Sequence, residues 1–273
     1  MGVSAYLWGM KHLIPFLPKP AYVPVIRLQG AIGSGARSLS DQSVAPLVER
    51  AFAKGKPAAV ALVINSPGGS AVQSSLIAAR IRRLAEEKKV PVHGFVEDVA
   101  ASGGYWLACA ADDIWVDASS ILGSIGVIYA GFGFQELMQR QGVERRVHTA
   151  GRSKSFADPF KPETPEDVAR IEALLAPVHQ NFIAHVQARR GAKLKEGADV
   201  FNADIWVGAG AVEMGLADGL AHMRPKLKEL YGEKVRLVPF GQKRSLLQRF
   251  GLTMTDTLMA SVEERALWAR YGL

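Results

Sequence analysis

From Val23 onward the chain alternates short apolar runs with glycine- and serine-rich turns, and the apolar spacing switches between continuous and helical. Val23–Leu28 predicts a strand, followed by a Gly/Ser loop over 30–40. Ser40 or Asp41 can cap a helix that runs to about Lys54. Residues 58–65, AAVALVIN, are a continuous apolar run ending in SPGG, as in a strand buried on both faces. Over 71–88, Leu76, Ile77, Ile81 and Leu84 recur among Arg80, Arg82, Arg83, Glu86 and Glu87, which predicts an amphipathic helix. Residues 90–97 predict the next strand, 101–111 a turn into a short helix, and 113–118 another strand. Thr164 opens a capping box with Asp167 as its acceptor, and Pro165 starts a helix reaching Arg190. Short helices and turns follow over 204–218 and 223–231. This alternation implies an α/β fold with its chemistry in loops at strand ends.

At 48% hydrophobic and 22% charged, the 273 residues have a globular composition, which excludes disorder, collagen and coiled coil. The single cysteine, Cys109, excludes an intrachain disulfide framework and a cysteine-cluster metal site. The six histidines form no HExxH-like pair, so neither metal nor cofactor is expected. Lys and Arg number 33 against 26 Asp and Glu, a net charge of +7.

The first twenty residues are apolar but interrupted by Lys11, His12, Pro15, Pro18 and Lys19, which fits neither a membrane span nor a signal peptide. They read as an arm packed on this domain or a neighbouring subunit. Tyr6, Trp8, Leu13, Ile14, Phe16 and Leu17 make an interfacial anchor the alternative. The uncharged runs 57–79 and 118–135 carry turn signals and read as buried strand–loop–helix units. In the tail, Lys243, Arg244 and Arg249 lie beside Leu246, Leu247 and Phe250, an amphipathic helix docked on the core or on a neighbour, with lipid contact as the alternative. The basic residues are dispersed and no recognition motif accompanies them, so nucleic acid is not an expected partner.

Three segments carry candidate chemistry. Asn65-Ser66-Pro67-Gly68-Gly69-Ser70 joins a buried strand to a helix, and its glycine N–H groups can face a developing negative oxygen. Ala101-Ser102-Gly103-Gly104 sets a serine among small residues where a helix opens, following the logic of a nucleophile elbow without the G-x-S-x-G pattern. A plain turn in the first segment and a helix cap at Ser102 are the competing readings. Thr149-Ala150-Gly151-Arg152-Ser153-Lys154-Ser155 offers a lysine that, once desolvated, accepts the serine proton. No histidine lies between His93 and His148, and His148 is expected to pack within a strand. Leu122, Ile125 and Val127 are candidates for a pocket that takes small or aliphatic side chains.

INSPGG, ASGGYWLA, SSILGSIGVI and TAGRSKS, in this order, resemble the protease IV / signal peptide peptidase A family, including its SohB-like members. The resemblance covers residues 23–235, leaving an N-terminal arm over 1–22 and an amphipathic tail over 236–273. It implies a crotonase/Clp-protease-like fold of stacked β-β-α units with helical C-terminal excursions, assembled into homo-oligomeric rings such as tetramers or octamers. It implies a serine endopeptidase whose Ser/Lys dyad cleaves signal-peptide remnants, membrane-derived or unfolded peptides through an acyl-enzyme, without a cofactor. Ser102 matches the nucleophile, Lys154 the general base, and Ser124 the residue that orients the lysine. Gly103 and either Gly68 or Gly69 match the oxyanion donors. The chain departs from the family at Ser153, where an aromatic residue or histidine is usual, and in lacking a clear membrane anchor. A cytoplasmic location, or a peripheral one at a bacterial inner membrane, is the expectation. The alternatives are an inactive ring-forming scaffold and a crotonase-like acyl-CoA enzyme.

Overall fold

The computed structural model describes residues 20–33, 38–151, 153–241 and 265–273. Residues 1–19 of the arm and most of the tail fall outside that set, as do the expectations made for them, while Tyr22 at the arm's end already belongs to the first strand.

Continuous apolar runs become the central parallel strands. β1 (Tyr22–Gln29), β2 (Val60–Ser66) and β3 (Val92–Ala101) pair side by side. Every residue of β2 is buried, because both faces of the sheet are covered there. The period of two sorts the side chains. Ile26, Leu28, Leu62, Ile64 and Val92 enter the main core, while Val23, Ala59, Ala61 and Phe95 enter a smaller one on the opposite side.

β3 is long enough to take two partners on the edge away from β2. Its first half pairs with β4 (Asp113–Val116) and its end with β5 (Ile121–Gly123), so the sheet branches. The edges are completed by β6 (Ile205–Val207), β7 (Gly219–Leu220) and β8 (Arg236–Phe240), antiparallel to β5, parallel to β4 and parallel to β1 respectively. β6 and β8 differ from the sequence expectation, which gave 204–218 helices and turns and put 236–240 in the tail. Strands of three and five residues carry too little periodicity to be legible, and β8 holds Pro239, a residue tolerated on an edge.

The helices follow their caps. α1 (Asp41–Ala53) starts at Ser40, whose side chain accepts from the Ser43 amide in a capping box. α2 spans Ala71–Lys88 and ends on Lys89 in the left-handed conformation. Its buried face is Ser74, Ile77, Ala78, Ile81 and Ala85, whereas Leu76 stays exposed. α3 (Gly103–Ala108) is fully buried. α4 (Gln135–Arg140) has no buried residue. α5 (Pro165–Arg190) begins with the expected Thr164/Asp167 box. It ends at Arg190, which is buried and donates to the Gly215 carbonyl and to Asp218. α6 (Ala209–Glu213) and α7 (Met223–Tyr231) close the chain's return, with Leu227 of α7 seated in the smaller core.

The run 57–79 is the buried strand–loop–helix unit expected. The run 118–135 is not: beyond Ile125 it leaves the core, and Ile128, Tyr129, Phe132 and Phe134 are exposed. Among the described residues no helix is long and apolar enough to cross a membrane.

Candidate active site

Parallel register brings three loops to one place. Ser66 of β2 lies beside Ala100 of β3, and Ala101 of β3 beside Gly123 of β5. The chain therefore leaves three neighbouring strands at Pro67, Ser102 and Ser124, at their carboxyl ends, where α/β sheets gather their chemistry. Ser102, Ser124, Gly69 and Gly103 all line one cavity of about 380 Å³.

Ser102 is held in a sparsely populated conformation, φ 51° and ψ −123°. Its amide donates to the Gly123 carbonyl at 2.8 Å, and its carbonyl accepts from Tyr105 and Trp106 at 2.9 and 3.0 Å. These bonds fix both sides of the strained residue. Although Ser102 occupies the cap position of α3, its side chain makes no capping hydrogen bond. The cap reading fails, and the half-buried Ser102 lines the cavity.

The glycines surround it closely. A β-carbon on Gly68 would lie 2.8 Å from Ser102 Cβ, so this turn rests against the serine. Gly69 has φ +139°, and a β-carbon there would meet the Ile32 carbonyl oxygen at 2.0 Å, so only glycine fits. The Gly68 amide donates to Ser66 Oγ at 3.3 Å. Among the described residues the Gly69 and Gly103 amides have no protein acceptor. Gly69 also lines the cavity, whereas Gly68 does not.

Ser124, with φ 52°, donates its amide to the Asp204 carbonyl at 2.7 Å. The next residue's carbonyl accepts from His179 Nε2 on α5 at 3.0 Å. Val178 and Phe182 of the same helix form a cavity wall with Trp106. Trp106 stacks on Phe182 at 4.8 Å and on His185 at 5.1 Å. This wall was missed in the sequence, although Val178, Phe182 and His185 share a helical face. Of the pocket residues expected, Val127 lines the cavity, but Leu122 and Ile125 are fully buried in the core.

Two groups near the site are chemically quiet. Burial pushes the Cys109 thiol up to about 12, so it carries no thiolate at neutral pH. Tyr105 is raised well above its ordinary value by burial and donates its hydroxyl to the Leu216 carbonyl.

Lys154 is elsewhere. It sits in a turn closed by its own amide to the Gly151 carbonyl, its residue is exposed, and it is not among the cavity's lining residues. His148, expected to pack in a strand, lies in irregular chain and is exposed, because 143–149 pairs with no strand. Among the described residues no group of His, Cys, Asp and Glu is placed to hold a metal ion.

Residues 84–234 match the family described as Peptidase family S49. A Brucella abortus protein named Na(+)/H(+) antiporter NhaA is 47% identical over 97% of this chain, and the match occupies 39% of that protein. The chloroplastic serine protease SPPA of Arabidopsis thaliana is 30% identical, covering 72% of this chain and 30% of its own length. This chain thus spans well under half the length of either relative. The structure of a 1510-N membrane-bound stomatin-specific protease superposes with a TM-score of 0.50 at 16% identity, over 83% of this chain and 100% of its own. That likeness concerns the fold, and it agrees with the α/β architecture expected from the sequence.

Proposed function

The chain belongs to peptidase family S49, and on that premise we propose that it is a serine endopeptidase with Ser102 as nucleophile and Lys154 as general base. The observation that carries the reading is the strained Ser102, which makes no capping bond, in a cavity also lined by Gly69 and Gly103, whose amides have no acceptor among the described residues. In the reaction, neutral Lys154 takes the hydroxyl proton as Ser102 Oγ attacks the peptide carbonyl. The Gly69 and Gly103 amides donate to the oxyanion, and Gly69 is favoured over Gly68 because its amide is unpaired and it lines the cavity. The lysine ammonium then protonates the leaving amine. Neutral again, Lys154 next deprotonates the water that releases the acyl group, with Ser124 orienting Nζ.

Lys154 must be desolvated beside Ser102 to act as a base. In the single chain it is exposed on a stretch, 127–163, that also exposes Ile128, Tyr129, Phe132 and Leu137. We therefore assign the closed dyad to a homo-oligomer, in which this stretch docks on a second copy and carries Lys154 to that copy's cavity. The apolar wall of Trp106, Val178 and Phe182 suits peptides from signal-peptide remnants, membrane-derived segments or unfolded chains. A net charge of +7 suits work beside an anionic membrane surface.

The test is hydrolysis of a fluorogenic apolar peptide together with labelling by a serine-reactive fluorophosphonate. Ser102→Ala and Lys154→Ala are each expected to lower turnover by at least about a thousandfold, since dyad members act as a unit. Labelling of the parent protein should map to Ser102. Wild-type turnover in either variant would sink the dyad.

A further inference from the structure

Between β2 and β3 the parallel register breaks just below the Ser102 site. Val60 to Ile64 pair in step with Val92 to Val96, and the next pair is Ser66 with Ala100. One residue of β2, Asn65, therefore faces three of β3: Glu97, Asp98 and Val99. In unbroken register Ser66 would pair with Asp98, and Ser102 would stand two residues, about 6.6 Å, further along the sheet from the Pro67–Gly69 turn. The close approach of Gly68 to Ser102 depends on that shift.

Side chains hold the irregular segment from both edges. On the β5 side, buried Ser120 donates its hydroxyl to the Glu97 carbonyl at 2.6 Å. On the β2 side, Asn65 donates Nδ2 to Asp98 Oδ2 at 2.5 Å. Asn65 is 6% exposed and its Oδ1 is buried without a partner among the described residues, so the bond to Asp98 is what fastens its carboxamide. A carboxylate only accepts, which fixes Nδ2 as the atom that faces Asp98. Arg27 also reaches across β2 to Glu97, but both side chains of that ion pair are well exposed, and such pairs contribute little. The Asn65 carbonyl accepts from the Gly30 amide at 3.0 Å, so the anchor is itself tied to the chain beyond β1.

We propose that Asn65 is a positioning residue for the reaction of Ser102. Through Asp98 its amide holds the irregular segment of β3, and that segment sets Ser102 level with the Gly69 and Gly103 amides. The role rests on Ser102 being the nucleophile. Asn65 does not line the cavity, so it acts on alignment for attack and not on peptide binding. A misplacement of about 1 Å can cost on the order of a hundredfold in rate.

Inverting the pair tests this. In N65D two carboxylates oppose each other, and in N65D/D98N donor and acceptor have changed places. Full chains are compared by the rate of fluorophosphonate labelling at Ser102 and by kcat and KM for an apolar peptide, well below each thermal midpoint. N65D is expected to lose about ten- to a hundredfold in kcat and labelling rate with KM within about twofold of the parent, and N65D/D98N to regain most of both. D98N alone still offers the Asn65 amide an acceptor and should lose only about a few-fold. D98A alters an exposed side chain, which keeps the test open if N65D does not fold, and should lower kcat about tenfold at unchanged KM. Parental kcat in N65D or D98A, or a double variant as slow as N65D, would overturn the positioning role. Lower thermal midpoints with kcat per labelled site unchanged would overturn it too, leaving a structural tie. Absence of Ser102 labelling in every protein, parent included, would instead overturn the nucleophile, and the role of Asn65 with it.

Discussion

At Gly103 a single hydroxyl decides what the position can hold. A β-carbon there would lie 2.4 Å from Ser74 Oγ and 3.2 Å from the Ile32 Cδ1 methyl. Ser74 is fully buried and donates to the Ser70 carbonyl at 2.8 Å, so it cannot turn aside freely. Gly103→Ala is therefore expected to destabilise the protein by about 1–3 kcal/mol through overpacking. Adding Ser74→Ala removes the nearest atom, and the pair should couple by about 0.5–3 kcal/mol in urea unfolding. Additive losses in the double variant would show that Ile32, not Ser74, sets the limit. Gly69 has no comparable rescue, because the atom in its way is a backbone oxygen and its φ is +139°. The motif letters SPGG and ASGG were legible as a glycine-rich site. Which amide is free, and which neighbour forbids a side chain, depends on Ile32 and Ser74, both remote from Gly103 in sequence.

Among the elements, α5 does two jobs along its 26 residues. Its first half buries Ile171 but leaves Val168 and Leu174 exposed, and its second half buries Phe182 and Val186 against the core. The stack of His185 and Phe182 on Trp106 couples this helix to α3, and His185 Nε2 donates to the Trp106 carbonyl at 3.1 Å. Burial lowers the His185 pKa from 6.5, and nearby Arg189 adds to the effect against the opposing carbonyl hydrogen bond. In the unfolded chain the imidazole binds its proton first, so this helix contact is at full strength above about pH 6.5 and weakens as pH falls below it. The thermal midpoint should therefore drop between pH 7.5 and 5.5, and drop less in His185→Gln. Parallel pH curves for the two proteins would show that His185 does not carry the effect. The start of α5 was readable from Thr164, Pro165 and Asp167, because a capping box is local chemistry. Its function as a cavity wall was not, because Trp106 reaches it only through the sheet.

In the whole molecule, the proposed nucleophile and its proposed base are on different kinds of structure. Ser102 is locked between buried strands, whereas Lys154 rides on the exposed stretch over 127–163, where Phe132 is 80% exposed. If a second copy receives this stretch, co-expressed Ser102→Ala and Lys154→Ala chains can form intact sites between them. Random assortment predicts about a quarter of the parent activity in that mixture, against almost none for either variant alone. No recovery would place the dyad within one chain. By itself the sequence determined the central strands, the span of α2, the capped start of α5 and the order of the three site segments. All of these follow from local periodicity, caps and turn residues. Only the tertiary structure decided the branching at β3, the edge strands β6 and β8, the exposure of 127–163 and the two extra residues of β3 opposite Asn65. Those depend on pairing and burial between residues far apart in the chain, and short or exposed segments carry no local pattern that records them.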